Sequence, residues 1–246
     1  MKCLILAAGY ATRLYPLCEN FPKPLLSVGG RAILDWLIDD LWATGKIDEF
    51  IIISNAKFIN HFKEYAKARG ERVLVLCDGT YTSDTRLGAV NDIKFAKDTL
   101  GINEDILVIG GDNLLDFSLS EFVDYALVRK RSCVLSYFEE DTEKLRKMGT
   151  ASVGEDGKIL SMSEKSPNPK SHWCIPPFYF ITGDDLSLID SAIADGCETD
   201  APGSFIAWLS ENSSVYAMKM KGKRYDIGSL QSYGRVAREY RGITVK

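Results

Sequence analysis

The sequence predicts an α/β fold, a mostly parallel sheet flanked by helices with a smaller mixed α+β region after it. Three observations carry this. Residues 3–6, 50–53, 73–77 and 106–110 are apolar along nearly their whole length, as strands buried on both faces are. The segments between them repeat apolar residues at helical spacing, and alternating strands and helices build a parallel sheet. From about residue 149 the rhythm changes to short extended runs, with Asp156-Gly157 between two of them as a hairpin signal.

Each element follows from local chemistry. Residues 31–43 carry Ile33, Leu34, Trp36, Leu37, Leu41 and Trp42 at helical spacing, and Gly45 is a natural stop. Residues 58–69 read as a helix closed by Gly70. After the third strand, residues 78–86 turn polar, and residues 87–98 resume a helical pattern. Residues 119–129 read as a helix and 133–138 as a strand. A proline-stiffened polar segment spans 164–170, and the strand at 177–181 opens on proline, as position rules permit. Helices at 184–195 and 204–211, a strand at 215–219 and a last helix from Ser229 to about Arg241 complete the chain.

A length of 246 residues suits one large domain, and 46% hydrophobic with 26% charged residues suits a sizeable core. The net charge of −4 argues against a nucleic-acid groove as the main business, while leaving room for a phosphorylated ligand held by local cations. Six cysteines lack any Cys-x-x-Cys pair, and Cys3, Cys77 and Cys133 read as small buried hydrophobes in a reducing compartment. Two histidines make a structural zinc site improbable, and no run reaches membrane-spanning length. The expected location is cytoplasmic.

The chemistry concentrates at strand ends. Between the first strand and Leu17, small residues from Ala7 to Ala11 let main-chain N–H groups approach an anion, and Arg13 adds charge. Pro22 and Pro24 hold Lys23 on an extended backbone. This stretch reads as a phosphate cradle, the alternative being an ordinary strand-to-loop connection with surface basic residues. Asp112 directly after the 106–110 strand is placed to hold a hard cation, or to cap a turn. Neither Gly-x-Gly-x-x-Gly after a strand nor Gly-x-x-x-x-Gly-Lys-Ser/Thr occurs, so both common dinucleotide and P-loop readings are weak.

The run Leu6-Ala7-Ala8-Gly9-Tyr10-Ala11-Thr12-Arg13-Leu14-Tyr15-Pro16-Leu17, followed by Pro22-Lys23-Pro24-Leu25-Leu26, resembles the signature of the sugar-1-phosphate nucleotidylyltransferases. The usual form has glycine where Ala11 stands. The resemblance extends through Gly110-Gly111-Asp112, Glu164-Lys165 and Tyr225-Asp226-Ile227-Gly228. It implies a Rossmann-like nucleotide-binding part at 1–148, an acceptor-binding part at 149–228 and a C-terminal helix at 229–246, together one nucleotidyltransferase domain. In the implied reaction an acceptor phosphate attacks the α-phosphorus of a nucleoside triphosphate and pyrophosphate leaves, with no covalent enzyme intermediate. By position, Asp112 and Asp226 would hold Mg²⁺, Arg13 would neutralise the triphosphate, and Lys23 would contact the α-phosphate. Leu6, Ala8, Gly9, Gly79, Arg86 and Gly88 would border the nucleotide. Lys165, Gly149 and Tyr179 would hold the acceptor. Members of the family often pair, so a homodimer is compatible with the resemblance.

Two departures bear on substrate. Thr80-Tyr81-Thr82 and Arg86-Leu87 are similar to the cytidylyltransferase branch that works on glucose 1-phosphate, which favours CTP. Arg86 would reach a phosphate or the base carbonyl, or else remain a solvent-facing loop residue. Met148-Gly149-Thr150 and Pro176-Pro177-Phe178-Tyr179 depart from the hexose enzymes, which points to a non-hexose acceptor of the phosphoglutamine or phosphocholine type and to capsule or cell-surface polysaccharide synthesis. Trp173, Phe178, Tyr179 and Trp208 would wall a choline ammonium, or simply fill the core. Two alternatives stay open: a glucose-1-phosphate thymidylyl- or uridylyltransferase, and a nucleotide-binding paralogue without turnover.

Overall fold

The opening apolar run becomes the strand Lys2–Leu6, with Cys3, Leu4 and Ile5 buried. The structure is a computed structural model that describes residues 1–70 and 72–244. The chain divides into two compact units, each assembled from separated segments. The expected α/β class holds.

The first unit comprises Met1–Arg86, Gly110–Glu121 and the chain from Lys221 onward. Lys2–Leu6 pairs parallel with Glu49–Ser54, which pairs parallel with Val73–Cys77. Helices Ile33–Ala43 and Ile59–Arg69 connect these strands, burying Leu34, Leu37 and Leu41 from one and Phe62 and Ala66 from the other. Because the three strands point the same way, the loops after Leu6, Ser54 and Cys77 emerge at one edge, where open α/β sheets place ligands. Gly111 joins this edge by donating its N–H to the Leu6 carbonyl at 3.0 Å. A Cβ on Gly111 would lie 3.0 Å from the Ile5 side chain, so a larger residue here would have to push Ile5 aside by a few tenths of an ångström.

The helix Leu230–Glu239 also belongs to this unit, and Ser229 caps it by accepting the Ser232 N–H. Its Val236, with Tyr240 beyond it, packs on Leu14, Cys18, Leu26, Ile33, Leu114 and Ile227. Side chains of this kind contribute about 1.5–3 kcal/mol each on full burial, so the loop that follows the first strand rests on a real core.

The second unit comprises Leu87–Ile109 and Phe122–Met220. Here Phe178–Ile181 is antiparallel both to Ile106–Gly110 and to Ser132–Phe138, and Val215–Lys219 lies parallel to Ser132–Phe138. Gly149–Val153 and Ile159–Glu164 form the expected antiparallel hairpin, turning through Asp156 and Gly157, the latter at φ +86°.

Several expectations change in detail. Lys23 is not extended: Lys23–Leu25 is a single 3-10 turn closed by the Leu26 N–H on the Lys23 carbonyl at 3.0 Å. The extended residue is Pro22, and Pro24 fits inside the turn because its missing N–H is not needed there. The first helix begins at Ile33, since Arg31–Ala32 pair with Ser27–Val28. The segment expected as one helix at 184–195 is two, Gly183–Ser187 and Ile189–Ala194. A short helix at Thr142–Leu145, capped by Asp141, was not legible in the periodicity. Cys77 is only partly buried, whereas Cys3 and Cys133 are buried, and desolvation pushes the Cys133 thiol up to about 12. Among the described residues no helix is long and apolar enough to cross a membrane.

Candidate functional site

In the first unit, Leu6 ends its strand and Ala8 is buried, while Gly9 is exposed with nothing within 4 Å of where a Cβ would stand. Ala11 adopts φ +48°, a left-handed conformation more natural to the glycine of the family signature. It precedes a 3-10 turn, Thr12–Leu14, in which Leu14 is buried and Arg13 projects to solvent. The buried leucine anchors the turn and leaves the arginine exposed.

A polar cluster sits beside this loop in sequence-distant company. Lys23 Nζ meets Asp112 Oδ2 at 2.5 Å, and Asn113 Nδ2 donates to Asp112 Oδ1 at 3.2 Å. Arg224 Nε donates to Asn113 Oδ1 at 2.6 Å, and its Nη2 reaches Asp226 Oδ1 at 3.3 Å. The two carboxylates expected to share a cation are therefore joined through one amide and one guanidinium. Burial pushes the Asp112 carboxyl up, but attraction and hydrogen bonding from Lys23, with help from Arg224, outweigh it and leave the group below the usual range. No cluster of three or more His, Cys, Asp or Glu side chains occurs among the described residues. Two carboxylates still fit Mg²⁺, which is commonly bound by one or two carboxylates plus waters and substrate phosphates.

The loop after the third strand folds on Asp78, whose Oδ1 accepts the Thr80 N–H at 2.7 Å and hydroxyl at 2.9 Å. Gly79, at φ +81°, is the hinge of that turn. Arg86 is exposed and bonds back to the Ser83 carbonyl at 3.0 Å.

In the second unit, Gly88 takes φ +91°, and a Cβ there would stand 2.8 Å from the Thr199 carbonyl carbon. Val90 donates its N–H to Thr199 at 3.0 Å, so the 199–200 backbone lies against the start of helix Ala89–Leu100. Lys165 is also left-handed, at φ +47°, with its Nζ 3.3 Å from Asp200 Oδ2. Gly149 and Gly203 both abut Glu164, whose Oε2 would be 2.5 Å from a Cβ on Gly149. Desolvation, with repulsion from Asp200 and Glu198, pushes the Glu164 carboxyl up to about 7 despite Lys165.

The structure thus brings Lys23, Asp112 and Asp226 into one cluster and sets Gly149 against Glu164, while Lys165 pairs with Asp200. It does not bring Tyr179 to a surface: that ring is buried, on a strand between Val108 and Val134. Phe178 is buried beside it, and Trp208 is turned to Asp195, its Nε1 donating at 3.1 Å. Trp173 stands under the Lys219 ammonium, 4.6 Å from its ring centre. The four aromatics do not form one wall. Sequence reasoning missed Asn113, Arg224 and the partnering role of Glu164. Adjacency to Asp112 and Lys165 could have raised Asn113 and Glu164, but nothing marked Arg224.

The chain matches a family described as Nucleotidyl transferase over residues 2–242. It is similar to a glucose-1-phosphate adenylyltransferase of Fervidobacterium nodosum, 26% identical over 94% of this chain and 59% of that protein. The bifunctional protein GlmU of Methanococcus aeolicus is 29% identical over 93% of this chain and 51% of that one. The chain therefore spans only a little over half the length of these relatives. Among solved structures, a UDP-glucose pyrophosphorylase complexed with UDP-glucose matches with TM-score 0.81 and 20% identity, over 96% of this chain and 97% of the other. A chain from Bacillus anthracis assigned as a glucose-1-phosphate thymidylyltransferase matches with TM-score 0.79 and 22% identity, over 99% and 98%. These likenesses show the fold.

Proposed function

The chain belongs to the nucleotidyl transferase family, and on that premise we propose that it joins a nucleoside monophosphate from a nucleoside triphosphate to a small phosphate monoester. The observation that carries this is the cluster of Lys23, Asp112, Asn113, Arg224 and Asp226. It combines cations for phosphates with two carboxylates suited to Mg²⁺.

An anionic oxygen of the acceptor phosphate attacks the α-phosphorus, the bond to the bridging oxygen breaks, and that oxygen leaves with pyrophosphate. The nucleophile already carries its charge, so alignment and charge neutralisation do the catalysis rather than a general base. Asp112 and Asp226 would hold Mg²⁺, which would supply charge neutralisation on the phosphates. Lys23 contacts the α-phosphate, Arg13 steadies the departing pyrophosphate, and the N–H groups around Ala8 and Gly9 face the triphosphate. Arg224 and Asp226, although they lie within the 149–228 stretch expected to hold the acceptor, serve the nucleotide side with Lys23 and Asp112, and Lys165 binds the acceptor phosphate.

CTP is the favoured nucleotide, because Thr80 and Arg86 stand in a loop like that of the cytidylyl branch. A non-hexose acceptor is favoured because Pro176 and Pro177 offer no N–H to a sugar. A second reading, an NDP-glucose synthase, is favoured by the names of the relatives above. Pyrophosphate release with Mg²⁺, each nucleoside triphosphate, and glucose 1-phosphate, phosphocholine or phosphoglutamine separates them. Release with CTP and a non-hexose phosphate is expected. Release only with glucose 1-phosphate and another nucleotide establishes the second reading, and none with any pair leaves a binding module.

A further inference from the structure

We infer that Asn55 is a positioning residue that aims the Gly9 main-chain N–H at the phosphates of the nucleotide, an inference that rests on the nucleotidyl-transfer reading above. Asn55 follows directly on the Glu49–Ser54 strand and is completely buried. Its Nδ2 donates to the Ala8 carbonyl at 2.9 Å, and its Oδ1 accepts the Phe58 N–H at 3.0 Å. Both ends of the amide are committed, and the donor–acceptor pattern fixes which end faces which group.

The consequence lies in the peptide unit between Ala8 and Gly9. It is planar and trans, so its carbonyl and its N–H point in opposite directions. With the carbonyl turned inward onto buried Asn55, the Gly9 N–H turns outward. Gly9 is exposed, and the space over it is open to 4 Å.

A second anchor secures the other side of this peptide. Tyr10 is buried, and its hydroxyl lies 3.0 Å from Thr80 Oγ1. Thr80 uses its single hydroxyl proton on Asp78, at 2.9 Å, which leaves Tyr10 as the donor in the Tyr10–Thr80 bond. The loop is thus pinned at Ala8 and at Tyr10, on either side of Gly9. A donor fixed before the ligand arrives needs no reorganisation when negative charge is placed against it. Asn55 touches no ligand; it acts through the peptide.

Asn55→Asp keeps the shape and sets a carboxylate oxygen against the Ala8 carbonyl, acceptor against acceptor. Calorimetric titration with inorganic tripolyphosphate, steady-state KM for each substrate, and the thermal midpoint are measured on the full chain. The variant is expected to bind tripolyphosphate roughly 10- to 100-fold more weakly, the range for losing one charge-assisted hydrogen bond. KM for the nucleotide rises in parallel while KM for the acceptor stays put. A lowered midpoint with unchanged tripolyphosphate affinity would make Asn55 merely structural and overturn the inference. Should the variant not fold, the Gly9 amide resonance of the wild-type chain decides: it shifts on saturation with tripolyphosphate, and a stationary resonance overturns the inference. A wild-type chain that binds neither tripolyphosphate nor any nucleotide sinks the functional reading itself, an outcome distinct from equal binding by wild type and variant.

Discussion

Lys23 and Asp112 form a 2.5 Å ion pair across 89 residues of sequence. The lysine is mostly buried, at 12% side-chain exposure, while the carboxylate is 46% exposed. The cation is therefore the fixed partner, and the open side of Asp112 remains available to a ligand or metal. Removing the lysine takes away the attraction that holds the Asp112 carboxyl low.

Lys23→Ala, Asp112→Ala and Asp226→Ala are each expected to lower turnover roughly 10²- to 10³-fold, the general cost of one preorganised electrostatic contact. Pyrophosphate release under saturating substrate measures it. Near-normal turnover in Asp226→Ala would remove that residue from the proposed metal pair.

Glu164→Gln should flatten the pH dependence of stability. The folded chain holds the Glu164 proton up to about pH 7, against a normal value of 4.5. Its contribution is therefore fully present below the unfolded value and is lost as pH rises through the folded one. The wild type weakens over this window by up to roughly 3 kcal/mol, and the glutamine variant does not. Urea midpoints taken at either end of the window test this.

Gly88→Ala is expected to destabilise the chain by about 2–5 kcal/mol, combining left-handed strain with overpacking against Thr199. Gly79→Ala shares the positive φ but meets nothing within 4 Å, so it should cost less. Thermal midpoints of the two variants measure the difference.

Arg224→Ala leaves the buried Asn113 Oδ1 without the 2.6 Å contact from Arg224 Nε. The expected cost is about 1–3 kcal/mol for an orphaned polar atom, read from denaturant unfolding. Arg224→Lys should recover little, because an ammonium lacks the fork that serves Asn113 and Asp226 together.

How much of this was legible beforehand differs by level. The strands could be read because full apolarity reports burial on both faces, yet it says nothing of direction. That is why the antiparallel pairing of Phe178–Ile181 with Ile106–Gly110 had no signature. The helix boundaries at Ile33 and Leu188 depend on strand pairing and local turns rather than periodicity. In the candidate site, the resemblance to the family's motifs marked the charged side chains. It could not mark Asn55 or Arg224, whose roles arise from hydrogen bonds across strand ends, while Asn113 lay unread beside Asp112. Tyr179 illustrates the converse, an aromatic in a suggestive stretch that packing claims for the interior.

The interleaving of the two units bears on how the chain comes off the ribosome. When residue 220 has been added, every segment of the second unit exists, whereas the first still awaits the chain from Lys221 onward. Until then the hydrophobic faces of Leu14, Leu26 and Ile33 lack Ile227, Val236 and Tyr240. Contacts so distant in sequence form late, so the half of the protein synthesised first is the half completed last.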